Sequence, residues 1–396
     1  MTQATPDLLS AAQALTPETV DLRRDIHANP ELGLQLPGTQ KRILEALTGL
    51  GLDITLGESV TSVVADLDTG RDGPTVLLRG DMDALPLTED SDLPFKSTVE
   101  GRMHACGHDS HVAMLVGAAK LLSANRDELT GRVRFMFQPG EEGFHGARYM
   151  IEEGVLDGVD RAFAIHVSME GPVGSVDSRG GPYLASSDEI HIAVNGKGGH
   201  ASSPHTARDP IPAAAAMVGA FQTMITREVN AFDPAVVTIA HIDSGTTNNI
   251  IPEVARMEGT IRAISEETRE LVKAGVVRVA SGVAEAYGCG CDVEIVHGYP
   301  VTINDHAMAR LVGEAAEQVL GEGSYESLQT PIMGAEDFSY VVQQVPGAMM
   351  GLGALPAEIE NPQDAGSLHS NRMVLNEDVL PCGIAMHAAM AMTPAE

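Results

Sequence analysis

Short apolar runs that end in polar side chains constrain the fold of this chain more than any other feature of its sequence. Residues 76–78 are consecutive apolar side chains, and two carboxylates, Asp81 and Asp83, follow soon after them. Such a run predicts a strand that is buried on both faces, with its carboxyl end at a site. Further strand patterns at 133–137 and 162–167 alternate along the chain with helical patterns. This alternation predicts an α/β fold with its chemistry at the strand ends.

Capping residues and helical spacing predict where the helices lie. Thr16, followed by a proline and a glutamate, suits the start of a helix that runs towards Asn29. Further helices are predicted over residues 39–51, 307–320 and 377–390. Together with the strands, they predict a domain in which a mixed sheet lies between helices.

The pattern changes between residues 186 and 297, and this change predicts an inserted second domain. Apolar and polar residues alternate there, as in strands with one face in water. The predicted elements are a strand at 190–194, a helix at 209–229, strands at 236–241 and 259–263, a helix at 266–287 and a strand through 293–295. That order is the split βαβ arrangement of a ferredoxin-like α+β domain. The predicted domain boundaries are therefore 1–185, 186–297 and 298–396.

Composition excludes several classes of partner and compartment. The net charge of -30, from 25 basic and 55 acidic residues, would repel nucleic acid and anionic membranes. No apolar run is long enough to span a bilayer, and the first residues lack the pattern of a signal peptide. The 4 cysteines are too few and too irregularly spaced for a disulfide framework. A soluble protein of the reducing cytoplasm is therefore expected.

The segment 103–111 combines a thiol, three imidazoles and a carboxylate, which few structural needs require together. Cys106 and His108 could reach one divalent ion, because Gly107 between them lets the backbone turn. Apolar residues at helical spacing follow, so the segment is predicted to enter a buried helix. The helix N-terminus would lower the pKa of the Cys106 thiol. The alternative is a small buried cysteine beside a histidine-rich surface turn.

Other candidate ligands lie far apart in the sequence. Glu141 and Glu142 end an aromatic strand, where one carboxylate could bind metal and the other could handle protons. His166 lies on an apolar strand, and His369 lies in a loop. With Cys106 and His108, the residues Glu142, His166 and His369 could bind two divalent ions. Each has a plainer alternative: the two glutamates as a solvated turn, His166 as a core histidine and His369 as a surface residue.

These residues lie in motifs that resemble the M20 metallopeptidase family, specifically its amidohydrolase subgroup of hippurate hydrolases, N-acyl-amino-acid aminoacylases and plant auxin-conjugate hydrolases. The resemblance covers nearly the whole chain. Its motifs are LRRDIH at 22–27, PELG at 30–33, RGDMDALP at 79–86, MHACGHD at 103–109, QPGEEG at 138–143, GKGGHAS at 196–202, NIIP at 249–252, GTIR at 259–262, EDF at 336–338 and LHS at 368–370. The chain departs from the family where Asn29 replaces a common second histidine and where residues 168–170 replace a common tryptophan and proline.

The resemblance implies a two-metal amidase whose catalytic domain is interrupted by a lid and dimerisation domain, and hence a homodimer. The implied ligands are the five candidates named above, with Cys106 shared between the two ions. Glu141 is implied as the catalytic base.

Other side chains take implied roles from the same resemblance. His200 would stabilise the oxyanion from the partner subunit, Asn249 and Arg262 would hold the substrate's carboxylate, and Asp83 would orient a ligand. His200 could instead lie at the rim of a hairpin turn, and Arg262 could simply face solvent.

The predicted function is hydrolysis of N-acyl or N-aroyl amino acids, or related small conjugates, to a carboxylic acid and an amino acid. A metallocarboxypeptidase or dipeptidase that acts on short peptides is the closest alternative. A metal-binding protein without activity is a further one, although such a protein would not need Glu141. Thiolate, imidazole and carboxylate ligands together predict zinc, manganese, cobalt or nickel as the ion.

Overall fold

The computed structural model describes residues 7–359 and 361–393. The chain divides into two compact units, and the second consists of Leu184–Thr302 together with Pro331–Glu336. The predicted inserted domain, 186–297, did not include residues 331–336, because this short loop has no hydrophobic pattern of its own. The ends of the predicted catalytic domain, at 1–6 and 394–396, lie outside the described residues.

The strands of the chain are numbered in sequence order. They are β1 (Asp53–Leu56), β2 (Val63–Asp68), β3 (Thr75–Asp81), β4 (Arg132–Gln138), β5 (Arg161–Pro172), β6 (Val176–Ser178), β7 (Gly181–Leu184), β8 (Asp188–Asn195), β9 (Gly199–His200), β10 (Ala235–Ser244), β11 (Ile250–Ile251), β12 (Val254–Ala263), β13 (Gly290–His297), β14 (Thr302–Asn304), β15 (Tyr325–Ser327) and β16 (Gly347–Leu355).

The α-helices are numbered in the same way. They are α1 (Leu8–Ala14), α2 (Thr16–Ala28), α3 (Pro37–Leu47), α4 (His108–Ala124), α5 (Gly146–Glu152), α6 (Pro210–Glu228), α7 (Glu266–Ala286), α8 (His306–Val319), α9 (Ser339–Val342) and α10 (Val379–Met392). Among the residues that the structure describes, no helix combines the length and apolar character needed to cross a membrane.

The first unit is built on one mixed sheet with the strand order β1-β2-β4-β3-β5-β16-β6-β15. Its central strands β4, β3, β5 and β16 are parallel, whereas β2 runs antiparallel to β4 and β6 runs antiparallel to β16. The aromatic residues Phe135, Phe137 and Phe163 are buried within the core of this unit. The predicted α/β fold with a mixed sheet is therefore confirmed.

Two neighbouring elements bring polar groups into this core. Strand β3 is buried from Val76 onward and ends at Asp81, as its continuous apolar run predicted. Helix α4 is buried along most of its length, and it packs against α10 and against β3. A helix with apolar residues all round belongs in the interior, so its first residues must satisfy their polar groups locally.

The second unit contains a four-stranded antiparallel sheet with the order β10-β12-β8-β13. Helices α6 and α7 pack on it, and their side chains Met217, Phe221 and Val276 form its core with Ile192 and Met257 of the strands. Along the sequence the order is strand, helix, strand, strand, helix, strand.

Some local predictions were wrong in their limits. The predicted helix 39–51 ends at Leu47, and the strand predicted at 162–167, which is β5, extends to Pro172. The glycine-rich segment 196–200 is not only a turn, because Gly199–His200 forms a short strand that pairs with Ile250–Ile251. That pairing joins segments far apart in sequence, so local turn preferences could not reveal it.

Candidate metal centre

The site begins at the turn that leads into α4. Gly107 adopts φ 83°, a left-handed conformation that a side chain would strain, and His108 is the first residue of the helix. A β-carbon at Gly107 would also come within 2.5 Å of Val167 Cγ2. The turn therefore requires glycine for two reasons, and it directs Cys106 and His108 towards the same space.

Cys106 lies between two of the other predicted ligands. Its Sγ is 3.4 Å from Nε2 of His166 and 3.3 Å from Nε2 of His369. Glu142 completes the group on the His369 side, where its Oε1 lies 3.2 Å from Nε2 of that ring. The structure therefore brings together residues that are separated by most of the first unit's sequence.

The donor atoms of these residues fit divalent ions. Nε2 of His108 is buried and makes no hydrogen bond. Buried polar atoms without partners are uncommon, because leaving them unsatisfied is costly. Three overlapping groups have ligand atoms within 4.8 Å of one another: Cys106 with His108 and His166, Cys106 with Glu142 and His369, and His108 with Glu141 and Glu142. Sulfur, imidazole nitrogen and carboxylate oxygen are the donors that zinc and similar ions bind.

Asp83 holds the acidic pair and one histidine in place. Its carboxylate accepts the backbone N–H of Glu141 at 2.9 Å and that of Glu142 at 3.0 Å. Its backbone carbonyl lies 2.8 Å from Nδ1 of His108 and so accepts a hydrogen bond from it. That hydrogen bond leaves the lone pair of His108 Nε2 free for a cation.

The backbone also orients the other two imidazoles. Nδ1 of His166 donates to the carbonyl of Val167 at 2.8 Å, so its Nε2 lone pair points towards Cys106. His369 adopts φ 68°, which is unusual for a residue with a side chain. Its N–H donates to the carbonyl of Ala105 at 2.8 Å, so the strained residue is fixed beside Cys106.

Burial and neighbouring charges shift the pKa values of these groups in the chain alone. Burial raises the pKa of the Cys106 thiol, and the nearby His108 offsets only part of that effect. The helix N-terminus was predicted to lower this pKa, but the pKa of the thiol is raised overall in the chain alone. Cys106 and Glu142 raise the pKa of His369 to about 10. Cation binding to protonated thiol and imidazole groups releases protons.

A buried polar network beside α4 was missed at the sequence level. Asp81 Oδ1 accepts a hydrogen bond from Nδ1 of His111 at 2.6 Å, and Asp81 Oδ2 accepts one from Arg79 at 2.5 Å. The guanidinium of Arg79 also donates to Asp337 at 3.0 Å and to Gln138 at 3.0 Å. The available signal was the pairing of Asp81 at a strand end with His111, one helical turn after His108.

A second missed network surrounds Asp109, the residue after His108. His27 is completely buried, and its ring lies 2.8 Å from Asp109 Oδ2 and 3.2 Å from Glu89 Oε1. Burial lowers the pKa of His27, but Asp109 and Glu89 outweigh that effect and raise it overall. Arg23 donates to the same Asp109 oxygen at 2.7 Å. The motif at 22–27 therefore anchors the start of α4.

We expect His27→Gln to lower the free energy of unfolding by about 3 kcal/mol at acidic pH, because Glu89 loses its cation and Asp109 keeps only Arg23. The pKa of His27 is raised in the folded state, so its stabilisation is complete below the unfolded value near 6.5 and is lost as pH rises through the folded pKa. Denaturant unfolding at about pH 5.5 and about pH 9 checks this.

The matched control is His387→Gln. His387 is also buried, but burial lowers its pKa to about 3, so it stays neutral in the folded protein. His387→Gln should therefore lower the free energy of unfolding less at the acidic pH than at the alkaline pH. This is the opposite of the trend expected for His27→Gln. An equal cost of His27→Gln at both pH values would show that His27 is not an imidazolium.

The remaining predicted residues belong to the second unit. His200 is exposed on β9, and Nδ1 of its ring accepts the N–H of Ser202 at 3.1 Å, so Nε2 carries the proton and can donate. Asn249 is brought next to it, because its carbonyl accepts the N–H of Ala201 at 3.0 Å. Arg262 is half-buried on β12, and burial lowers its pKa.

Comparison with known proteins decides the family. The sequence model of peptidase family M20/M25/M40 matches residues 77–393. The chain belongs to peptidase family M20. The family predicted from the motifs is thereby confirmed, and the chain is a metal-dependent hydrolase. A metal-binding protein without activity has no support.

Two curated relatives and one solved structure illustrate the similarity. This M20 hydrolase is 41% identical over 380 residues to thermostable carboxypeptidase 2 of Saccharolobus solfataricus, with 94% of each chain covered. It is 37% identical to an N-acetylcysteine deacetylase of Bacillus subtilis, with 96% of this chain and 98% of that one covered. A dinuclear metal-binding M20 peptidase of Bacillus subtilis has a TM-score of 0.82 at 34% identity, covering 96% and 98% of the two chains. With the clustered ligand atoms, this likeness supports two metal ions.

Proposed function

We propose that this M20 hydrolase cleaves the amide bond of N-acyl or N-aroyl amino acids and releases a carboxylic acid and an amino acid. The observation that carries the proposal is the placement of the acidic pair. An oxygen of Glu141 lies within 4.8 Å of ligand atoms of His108 and Glu142, and Asp83 holds the backbone of both glutamates. The similarity to a deacetylase of an acetylated amino acid supports this substrate class.

Cys106, His108, Glu142, His166 and His369 are the proposed ligands of two divalent ions, with the thiolate of Cys106 shared between them. Its position between the two imidazoles supports sharing. The mixed sulfur, nitrogen and oxygen donors suit zinc or manganese, with cobalt or nickel as substitutes. When bound, such ions lower the pKa of a water molecule and polarise a substrate carbonyl.

Glu141 is the proposed base. This residue is 6% exposed and its carboxylate borders the ligand atoms, so it can accept a proton from the attacking water. The same carboxyl group then returns that proton to the leaving amine nitrogen. Asp83 keeps the glutamate in this position throughout, since it binds the backbone N–H of Glu141 and not the reacting side chain.

The second unit is proposed as a ferredoxin-like lid and dimerisation domain. Its sheet ends in the edge strands β10 and β13, whose exposed residues include Val236 and Val296, and an edge strand can pair with a second copy. His200 would donate from Nε2 to the oxyanion of a site in the partner, and Asn249 lies beside it. If light scattering gave the molecular mass of a monomer in solution, the homodimer would be ruled out.

Arg262, together with Asn249, is proposed to bind the substrate's carboxylate. We expect Arg262→Ala to lower kcat/KM for N-acyl amino acids by roughly 10- to 150-fold. For the matching C-terminal amides, kcat/KM should fall only slightly. The reason is that a charge-assisted hydrogen bond of about 1.5–3 kcal/mol exists only where the carboxylate does. Steady-state kinetics on paired substrates measures this.

The control is Arg256→Ala, which removes an exposed arginine from the same strand and the same face of the sheet. Arg256→Ala should change kcat/KM little for either substrate. Equal losses on acid and amide substrates for Arg262→Ala would indicate a structural role for Arg262.

Cleavage of short peptides from the C-terminus is the second candidate, because the thermostable carboxypeptidase is 41% identical to this chain. A single screen separates the two. The protein, loaded with zinc or manganese, is offered N-acetyl, N-benzoyl and longer-chain acyl amino acids and matched dipeptides, with released amine as the readout. Faster cleavage of the acyl amino acids is expected, and cleavage of dipeptides alone would reject the proposed substrate class.

A further inference from the structure

His111 is a buried histidine for which the proposed reaction has no assigned role. It is 1% exposed and lies on α4 one turn after His108. Its ring is packed between two proposed ligands, with ring centroids 5.4 Å from His108 and 4.7 Å from His166. A group so close to the centre either binds an ion itself or acts on the residues that do.

The hydrogen bonds of His111 exclude the first role. Nε2 accepts the backbone N–H of Val167 at 2.9 Å, so the proton of the neutral ring is on Nδ1, which donates to Asp81 Oδ1 at 2.6 Å. By distance alone, Asp81, His108 and His111 could form another ligand group. However, His111 has no lone pair left for a cation, whereas Nε2 of His108 makes no hydrogen bond.

Asp81 is a rigid partner for this histidine. Its other oxygen accepts a hydrogen bond from Arg79 at 2.5 Å, and Arg79 donates in turn to Asp337 at 3.0 Å. Asp337 accepts from Gln138 at 2.8 Å, and none of these four side chains is exposed. Because every member is buried and hydrogen-bonded, the network holds Asp81 and therefore the ring of His111 in one orientation.

The contact with Val167 transmits this orientation to the centre. Val167 follows His166 directly, so its N–H and its carbonyl lie on either side of its own Cα. The N–H donates to His111, and the carbonyl accepts from Nδ1 of His166. His111 thus fixes the backbone of β5 at the point from which the ring of His166 is directed towards Cys106, at 3.4 Å.

We propose that His111 is a positioning residue that sets the geometry of His166 through the Val167 amide, with Asp81 fixing the tautomer of His111. This inference rests on the ligand role proposed for His166. Groups that orient a metal ligand in this way usually contribute about 10- to 100-fold to metal affinity. His111 would therefore control the affinity for the ion that His166 holds and would leave the other ion less affected.

The test compares metal binding by the wild type and two variants. His111→Phe fills much of the same space without either hydrogen bond, and His111→Asn can still donate to Asp81 but is too short to reach the Val167 amide. Affinity for each zinc ion is measured by competition with a chelator, and the cobalt-loaded proteins are compared by their thiolate-to-cobalt absorption. We expect both variants to bind one ion about 10- to 100-fold more weakly and to alter the cobalt spectrum.

Two controls separate the possible failures. His387→Phe replaces another buried histidine, whose Nδ1 has no hydrogen-bond partner, and it should bind both ions as the wild type does. His166→Ala should lose one ion. If His166→Ala loses an ion while a folded His111→Asn binds both normally, the positioning role is rejected. If His166→Ala also keeps both ions, the ligand assignment of the proposed function fails, and this inference fails with it.

Discussion

Glu141→Gln is expected to lower kcat by roughly 100-fold or more while both metal ions stay bound. The amide keeps the shape of the side chain but can no longer accept a proton. The loop that carries it should not move, because Asp83 binds the backbone N–H of Glu141 and Glu142, and the substitution leaves both N–H groups in place. Turnover of an N-acyl amino acid and metal content by mass spectrometry are measured on the same preparation.

Glu142→Gln is the matched control, because it makes the same chemical change at the adjacent residue. Its carboxylate lies in the ligand group with Cys106 and His369, with Oε1 3.2 Å from the His369 ring, so its charge would help to hold a cation. This variant should lose metal first and activity as a consequence. A fully active Glu141→Gln enzyme would show that another group takes the proton.

The fold of the first unit could be predicted well because its signals are local. The continuous apolar run before Asp81 predicted a buried strand, and that strand is β3. Helical spacing after Cys106 predicted the buried helix that is α4. The pairing of β9 with β11 in the second unit had no such signal, because it joins two segments of two residues each that lie far apart in the sequence.

The candidate ligands could be named because thiol, imidazole and paired carboxylates are rare in such settings and lie in family motifs. The side chains that orient these ligands could not be named in the same way. No role for His111 was predicted, although it bonds both Asp81 and the amide beside His166, because both contacts join residues far apart in the sequence. The same limit applies to the pKa of Cys106, which burial raises, since burial depends on the whole tertiary structure.

Cys106→Ala tests the shared thiolate, on which the proposed two-metal site depends. Its sulfur lies 3.4 Å from His166 and 3.3 Å from His369, in groups on both sides of the centre. Removing this one sulfur atom should therefore weaken the binding of both ions, and we expect turnover to be lost with them. The matched control is Cys382→Ala, because Cys382 is also a buried thiol but belongs to α10 and to none of the ligand groups.

The decisive measurement is the number of metal ions per chain after dialysis, determined by mass spectrometry. The wild type and Cys382→Ala should each retain two ions, in keeping with the dinuclear M20 relative, and Cys106→Ala should retain fewer than one. If Cys106→Ala kept two ions and its activity, the metal centre could not be the one built around this cysteine.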